Sequence, residues 1–213
     1  MGSMYVALVP VKPPAVGKSR LVGLDDEQRR TLAAAFAMDT VTACLDAALV
    51  AHVLVATDDA AFASELDALG AHTIPDGVAE DLNGTLLQCA AEARRRWPEL
   101  VPVALTADLP ALRAPDLDAA LAGVEPGEAA YVADSEGVGT TTYTAAYDAF
   151  APRFGPGSAA AHEAGGARRL EATERLRRDV DDLHDLDVAL ALGVGPRTAA
   201  RAASLRGDGP RVG

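Results

Sequence analysis

Three groups of residues in this 213-residue chain have the types and spacing to handle phosphate. The first is Val103-Ala104-Leu105-Thr106-Ala107-Asp108-Leu109-Pro110, an apolar run that ends in one carboxylate and is stopped by a proline. Such a run predicts a buried strand with Asp108 at its emerging end. In open α/β sheets ligands bind beyond the carboxyl ends of the strands. A carboxylate there can hold a divalent cation against a phosphate. The competing reading of Asp108 is a turn or cap before the helix that begins near Pro115, because Asp is a common turn residue.

The second group is basic. Lys12, Lys18 and Arg20 follow the first apolar run, at what becomes the carboxyl edge of the sheet. Gly17-Lys18-Ser19 is shaped like the end of a P-loop, but that pattern needs a glycine where Lys12 stands, and Pro13 and Pro14 sit inside the loop. A Walker loop is therefore disfavoured. A different triphosphate loop, acting through backbone N–H groups and point charges, stays open beside the plain reading of a solvated surface loop.

The third group is acidic: Asp179, Asp181, Asp182, Asp185 and Asp187. Some of these serve as caps and surface charge for the helix near Leu186. Asp179-Val180-Asp181 is more specific, since alternation puts two carboxylates on one face of a strand end. Asp108 with Asp179 or Asp181 can then meet at one metal. Two glycine loops complete the set. Gly155-Pro156-Gly157-Ser158-Ala159-Ala160 formally fits a dinucleotide fingerprint, but Pro156 and the lack of a preceding strand argue against it. With Arg153 just before it, the segment suits a short anion-binding turn. Gly137-Val138-Gly139-Thr140-Thr141-Thr142 is a second loop of this kind, and tight turns are the default reading of both. The histidines at 52, 72, 162 and 184 show no zinc-ligand spacing. No Ser-His-Asp or Cys-His arrangement is recognisable.

Hydrophobic periodicity supplies the elements that must position these residues. Strands are expected at Met4–Val11, Val53–Thr57, Ala71–Ile74, through the run to Asp108, and at Ala129–Ala133. Helices alternate with them: Asp25, with Gln28 three residues on, opens a helix to about Ala48. Asp58 opens another that ends at Gly70, and further helices span Leu82–Arg96 and Pro115–Ala122. Arg94-Arg95-Arg96 reads as a solvated helix end favoured by the macrodipole. Strands alternating with helices imply an α/β domain with a mostly parallel, mixed-edge sheet covered on both faces. The last third is richer in Gly, Ser and Thr. It predicts a strand at Thr140–Ala146, a short helix around His162–Gly166, a strand end at Arg177–Asp181, and helices at Leu186–Leu192 and Arg197–Ala203.

Composition narrows the function classes. With 31 acidic against 19 basic residues the net charge is -12, which disfavours nucleic acid or an anionic membrane as partner. No apolar run approaches the roughly 18 residues of a membrane span, and no secretion signal opens the chain, so a cytoplasmic location is expected. Cys44 and Cys89 lie in apolar helical patterns and read as buried hydrophobes in a reducing compartment. Aromatics make up 4% of the chain, so the core must be built from Ala, Val and Leu. Met1-Gly2-Ser3 before Met4 has the form of a cloning leader, and 205–213 is expected to be a disordered tail.

The order of these marks resembles a known family. Pro10-Val11-Lys12 with Lys18-Ser19-Arg20-Leu21, then Leu82-Asn83, then Asp108-Leu109-Pro110-Ala111-Leu112 follow in sequence. Gly139-Thr140, Arg153-Phe154-Gly155-Pro156-Gly157-Ser158 with His162, and Asp179-Val180-Asp181 come after. Together they resemble the guanylyltransferases of coenzyme F-420 biosynthesis, which act on phosphoenolpyruvate or 2-phospho-L-lactate and are related to molybdopterin and sugar-nucleotide transferases. The resemblance spans Val6 to about Ala200 and implies one Rossmann-like nucleotidyltransferase domain over 4–204. It implies transfer of GMP from GTP to phosphoenolpyruvate with Mg²⁺, and a downstream deazaflavin phospho-acid transferase as consumer of the product. By the same resemblance Asp108, Asp179 and Asp181 hold the metal, and Asp108, Asp179 and Lys18 are catalytic. Lys12, Lys18, Arg20 and Asn83 bind the nucleotide, and Thr140, Gly155 and Ser158 hold the phospho-acid. The chain departs from the family pattern at Asp181-Asp182-Leu183, where Asp-Thr-Pro is usual. 2-Phospho-L-lactate, a molybdopterin or sugar-phosphate acceptor, a nucleotide-binding module without turnover, and a homodimer all remain compatible with the residues.

Overall fold

β1 (Tyr5–Pro10) is buried along almost its whole length. Its side chains divide by parity: Tyr5, Ala7 and Val9 enter one hydrophobic cluster, Val6 and Leu8 another. That division places β1 mid-sheet with both faces covered. Each buried Val or Leu contributes about 1.5–3 kcal/mol. A helix cap is worth about 1 kcal/mol, so this two-sided burial, more than any cap, sets the sheet's centre. The structure, a computed structural model, describes residues 3–11, 21–78 and 81–207.

α1 (Asp26–Leu45) starts with the expected capping box, in which the Asp25 side chain accepts from Gln28 N at 2.8 Å and Gln28 Oε1 accepts from Asp25 N at 3.0 Å. β2 (Val50–Ala56) follows, then α2 (Ala60–Leu69). The α2 cap is Asp59 rather than Asp58, because it is the Asp59 carboxylate that accepts from Phe62 N. Gly70 ends the helix at φ 104°, a left-handed conformation that glycine adopts without strain. β3 (His72–Ile74), α3 (Leu82–Arg96) and β4 (Val101–Leu105) come next. The arginines ending α3 are engaged at the surface: Arg95 and Arg96 with Glu92, Arg94 with Asp148. α4 (Ala114–Ala122) leads into β5 (Ala130–Ala133), β6 (Thr140–Thr144) and a 3₁₀ turn at Tyr147–Ala149. The remaining elements are α5 (Ser158–Ala164), β7 (Arg168–Arg169), α6 (Glu174–Arg177), α7 (Leu183–Leu192) and α8 (Pro196–Gly207).

The seven strands form one sheet in the order β3-β2-β1-β4-β6-β5-β7. β6 runs antiparallel to both neighbours, and the other pairs are parallel. From β1 the chain first builds outward through β2 and β3, then returns to place β4 on β1's other side. The order thus reverses between β1 and β4, and a crevice at such a switch point is the expected ligand site of an open α/β sheet.

Three expectations need correction. Arg177–Asp181 is not a strand end: Arg177 closes α6, and 178–181 joins no sheet ladder but docks on the end of β4 through Val180 N to Asp108 O at 3.0 Å. α7 begins at Leu183, too soon for a ladder to form. β7 was not foreseen because its two residues are both exposed and carry no apolar alternation. The helical part of the expected tail extends α8 to Gly207, and 208–213 lie outside the described residues. Cys44 and Cys89 are free thiols, and burial pushes each up to about 12, which keeps them protonated and inert. Among the described residues no helix is long and apolar enough to cross a membrane.

Candidate active site

The switch-point crevice holds a cavity of about 290 Å³ lined by Pro10 and Val11 after β1, by Leu105, Thr106, Ala107 and Asp108 at the end of β4, and by Phe36, Leu82, Phe154 and Asp181. Its walls are mainly apolar and its carboxylates sit at one end, the composition of a nucleotide-sized site.

Asp108 is set in place through its neighbours. The Thr40 hydroxyl on α1, fully buried, donates to Phe36 O at 2.8 Å and accepts from Leu109 N at 3.1 Å, so the backbone just after Asp108 is tied to α1. Asp108 O accepts from Val180 N, which docks the 178–181 connector against the strand end. Val180 points into a small cluster with Leu21, Phe36 and Ala111. Because side chains alternate along an extended backbone, the aspartates flanking Val180 turn the other way. One carboxylate oxygen each from Asp108, Asp179 and Asp181 comes within 4.8 Å of the others. These are hard oxygen donors at a spacing that suits a small divalent cation, whose cis and trans ligand oxygens lie about 3–4 Å apart at metal–oxygen distances of about 2.0–2.1 Å.

The altered segment after Asp181 keeps this geometry. Asp182 is the N-cap of α7, its carboxylate accepting from Asp185 N at 3.0 Å. Asp is as good an N-cap as Thr. Asp185 Oδ2 accepts in return from Asp181 N and Asp182 N, and Asp185 Oδ1 pairs with Arg178 at 3.1 Å. The connector is thereby held at both ends.

Thr40 carries a stability prediction. Thr40→Val keeps the shape but leaves the buried Leu109 N–H without its acceptor, which costs about 1–3 kcal/mol. Urea unfolding of the variant should show an unfolding free energy lowered by that amount, read as a lower midpoint at unchanged slope. An unchanged midpoint would mean that another acceptor takes over.

Thr140, Gly155 and Ser158 lie on segments that are bonded to one another and to the end of β4, outside the cavity lining itself. Thr106 N bonds Thr141 O at 3.0 Å, and that antiparallel register carries Thr140 alongside Ala107, next to Asp108. Ala159 N bonds Val138 O at 3.0 Å, tying the start of α5 to the β5–β6 turn. The turn itself is a carboxylate-built one, with Asp134 accepting from Val138 N and Gly139 N. Ser158 N bonds Gly155 O at 3.1 Å. Gly155 has φ 134° and open space where a Cβ would stand, so its backbone conformation, not crowding, requires glycine. Asn83 lies apart in role. Its amide bonds both backbone groups of Phe154, Nδ2 to O at 2.9 Å and Oδ1 from N at 2.8 Å. It therefore fixes the Phe154 wall of the cavity and the loop entering Gly155. Lys12, Lys18 and Arg20 lie outside the described residues.

Two further residues stand out, Thr40 without a role assigned from the sequence and His162 marked there only by the resemblance. Thr40, next to Asp39, is part of a polar pair within an alanine-rich helix, and that pair was a readable hint. Asp39 itself caps α8, accepting from Thr198 N at 2.8 Å. His162 is 1% exposed, stacks against Tyr143 at 4.5 Å between ring centroids, and touches Phe154 edge-on. Burial pushes its imidazole down to about 4, so it is neutral.

The sheet order and the acidic strand-end crevice define an α/β protein of the nucleotidyltransferase class. The fold is shared with a nucleotide-diphospho-sugar transferase from Desulfovibrio desulfuricans G20 (TM-score 0.68, 19% identity, 96% of this chain and 95% of that one). It is shared also with 4-diphosphocytidyl-2C-methyl-D-erythritol synthase (TM-score 0.61, 14% identity, 90% of this chain and 99% of that one). No protein-family model matches the chain. Full-length relatives are much nearer in sequence. Phosphoenolpyruvate guanylyltransferase of Thermomonospora curvata is 48% identical over 206 residues, covering 95% of this chain and 90% of that protein. The enzyme of the same name from Streptomyces coelicolor is 48% identical over 205 residues, covering 94% and 97%. The chain belongs to the phosphoenolpyruvate guanylyltransferase family.

Proposed function

We propose that this protein transfers GMP from GTP to the phosphate of phosphoenolpyruvate and releases pyrophosphate. The observation that carries the reading is the meeting of Asp108, Asp179 and Asp181 at the switch-point cavity of a chain nearly half identical to enzymes of that name. A phosphate oxygen of the acceptor attacks the α-phosphorus of GTP. The new bond is the acceptor P–O–P link, and the bond broken joins the α-phosphorus to the oxygen bridging to the β-phosphate, whose electron pair leaves with pyrophosphate. Both reactants are polyanions, so the protein's task is to bring them within about 3–3.5 Å in line. Little covalent help is needed.

Asp108, Asp179 and Asp181 would hold Mg²⁺, which when bound neutralises phosphate charge and orients the α-phosphate. Lys12, Lys18 and Arg20 come next after β1 in the sequence, and their charges would neutralise the leaving pyrophosphate. Thr140 and Ser158 would hold the acceptor with hydroxyls that donate hydrogen bonds without bulk, and Gly155 with open space beside its backbone. Asn83 serves the nucleotide side indirectly, by holding the Phe154 wall. A transferase that moves the phospho-acid portion onto a deazaflavin consumes the product.

The test is pyrophosphate release with each of four NTPs against phosphoenolpyruvate, 2-phospho-L-lactate and a molybdopterin or sugar phosphate, with Mg²⁺ present. GTP with phosphoenolpyruvate should give the fastest turnover, and ATP much less. Equal rates with all NTPs would remove the guanine assignment. Faster turnover with 2-phospho-L-lactate would reassign the acceptor, and no turnover with any acceptor would leave a binding module.

A further inference from the structure

His162 belongs to no step of the reaction above, yet it is among the most deeply buried polar side chains in the chain. Its ring nitrogens have different partners. The backbone N–H of Arg153 donates to Nε2 at 2.9 Å. An amide N–H can only donate, so Nε2 must be the unprotonated acceptor. In a neutral ring the proton is then on Nδ1, which lies 3.1 Å from Thr140 Oγ1. Nδ1–H donates and the threonine oxygen accepts. The hydroxyl hydrogen of Thr140 is thereby excluded from the imidazole and must point elsewhere. A half-turn of the ring would keep its plane against Tyr143 but would put ring carbons where Nε2 now meets Arg153 N and Nδ1 meets Thr140 Oγ1, so both bonds would be lost. Burial, which holds the ring neutral, adds to the same bias.

We propose that His162 is a positioning residue for the acceptor, locking Thr140 Oγ1 as an acceptor toward the imidazole so that the threonine O–H is presented as a donor to the phospho-acid. This rests on the assignment of Thr140 to the acceptor. The relay runs Arg153 N–H to His162 Nε2, His162 Nδ1–H to Thr140 Oγ1, and Thr140 O–H to an anionic oxygen of the substrate. A neutral donor with a fixed direction binds an anion better than a hydroxyl free to rotate, because the ordering has already been done by the fold. The same device links the acceptor loop to itself: the ring bonds Thr140 directly and the backbone of Arg153, which leads into Phe154 and Gly155, and His162 lies one helical turn after Ser158.

Two substitutions separate this role from simple packing. Asparagine carries its amide nitrogen on Cγ, where imidazole carries Nδ1, and can still donate to Thr140. Glutamine reaches further and can accept from Arg153 N at the Nε2 position while leaving Thr140 without its donor. The relay predicts that His162→Gln raises KM for phosphoenolpyruvate about tenfold or more, as for a lost hydrogen bond to a charged group, with KM for GTP unmoved. His162→Asn should recover most of that loss. A purely structural ring that only satisfies Arg153 N predicts the reverse order, and that order would overturn the proposal. If neither variant folds, ¹⁵N-resolved NMR of the wild-type protein decides instead: a proton on Nδ1 and none on Nε2 is expected, and the opposite tautomer refutes the relay. Thr140→Val serves as the control. If it leaves KM for phosphoenolpyruvate unchanged, the acceptor assignment itself fails and the relay with it. If Thr140→Val raises that KM and His162→Gln does not, the assignment stands and the relay alone is wrong.

Discussion

Asp108→Asn should lower turnover with GTP and phosphoenolpyruvate by on the order of 10²-fold or more, the scale seen when one electrostatic stabiliser is removed from a reacting centre. The substitution keeps shape and removes charge. The fold should tolerate it, because the bonds that seat this position run through its backbone: Leu109 N to Thr40 Oγ1, and Val180 N to Asp108 O. Three carboxylates with oxygens within 4.8 Å of one another repel when no cation is bound. A pair at that distance costs on the order of 1–4 kcal/mol between the aqueous and protein-surface limits. Removing one charge therefore leaves metal-free thermal stability equal or higher. Adding Mg²⁺ should raise the melting temperature of the wild-type protein and not that of Asp108→Asn. Near-normal turnover in a folded variant, or an equal Mg²⁺ shift in both proteins, would return Asp108 to the rank of a turn residue.

The parts of this site that were legible in the sequence are those set by local rules. The capping box at Asp25 and Gln28 depends on residues three apart, and the structure has it as expected. The apolar run ending in Asp108 needed only the strand period and the carboxyl-edge rule. Asp179-Val180-Asp181 shows where local rules stop. Its alternation correctly signals an extended backbone with Val180 inward, yet alternation cannot say whether a partner strand exists. Here the partner is a single carbonyl, that of Asp108, and the result is a one-bond clasp instead of a strand.

Asn83 shows a different limit. A polar residue at a helix start beside a nucleotide site invites a base-contacting role. Its amide also matches the donor and acceptor of the Phe154 peptide 71 positions away, a pairing that no spacing rule reports. The direction of β6 was likewise out of reach, because the register of Thr140–Thr144 is set by the Asp134 turn and by β4, not by its own residues. The contacts of His162 and Thr40 join distant segments; His162 stood out only through the family resemblance, and Thr40 looked like an ordinary member of its helix.

Ser158→Ala should weaken phosphoenolpyruvate much more than GTP. Ser158 is the first residue of α5, 2% exposed, and follows Gly157 at φ 71°. Its position is therefore fixed by a turn that only glycine adopts readily, and by Ala159 N on Val138 O immediately after it. A hydroxyl held this way donates to a small anion with little ordering left to do. Losing a hydrogen bond to a charged group costs roughly 1.5–3 kcal/mol, or about 10- to 150-fold in affinity. The cavity between the ends of β1 and β4, with Phe36 and Leu82 in its lining, does not include Ser158, so a nucleotide bound there should not feel the change. Calorimetric titration of each substrate separately into wild type and variant measures the two affinities. A selective loss for phosphoenolpyruvate supports the division of the crevice into a nucleotide half and an acceptor half. An equal fall for GTP, or no change in either, would place the acceptor on other loops.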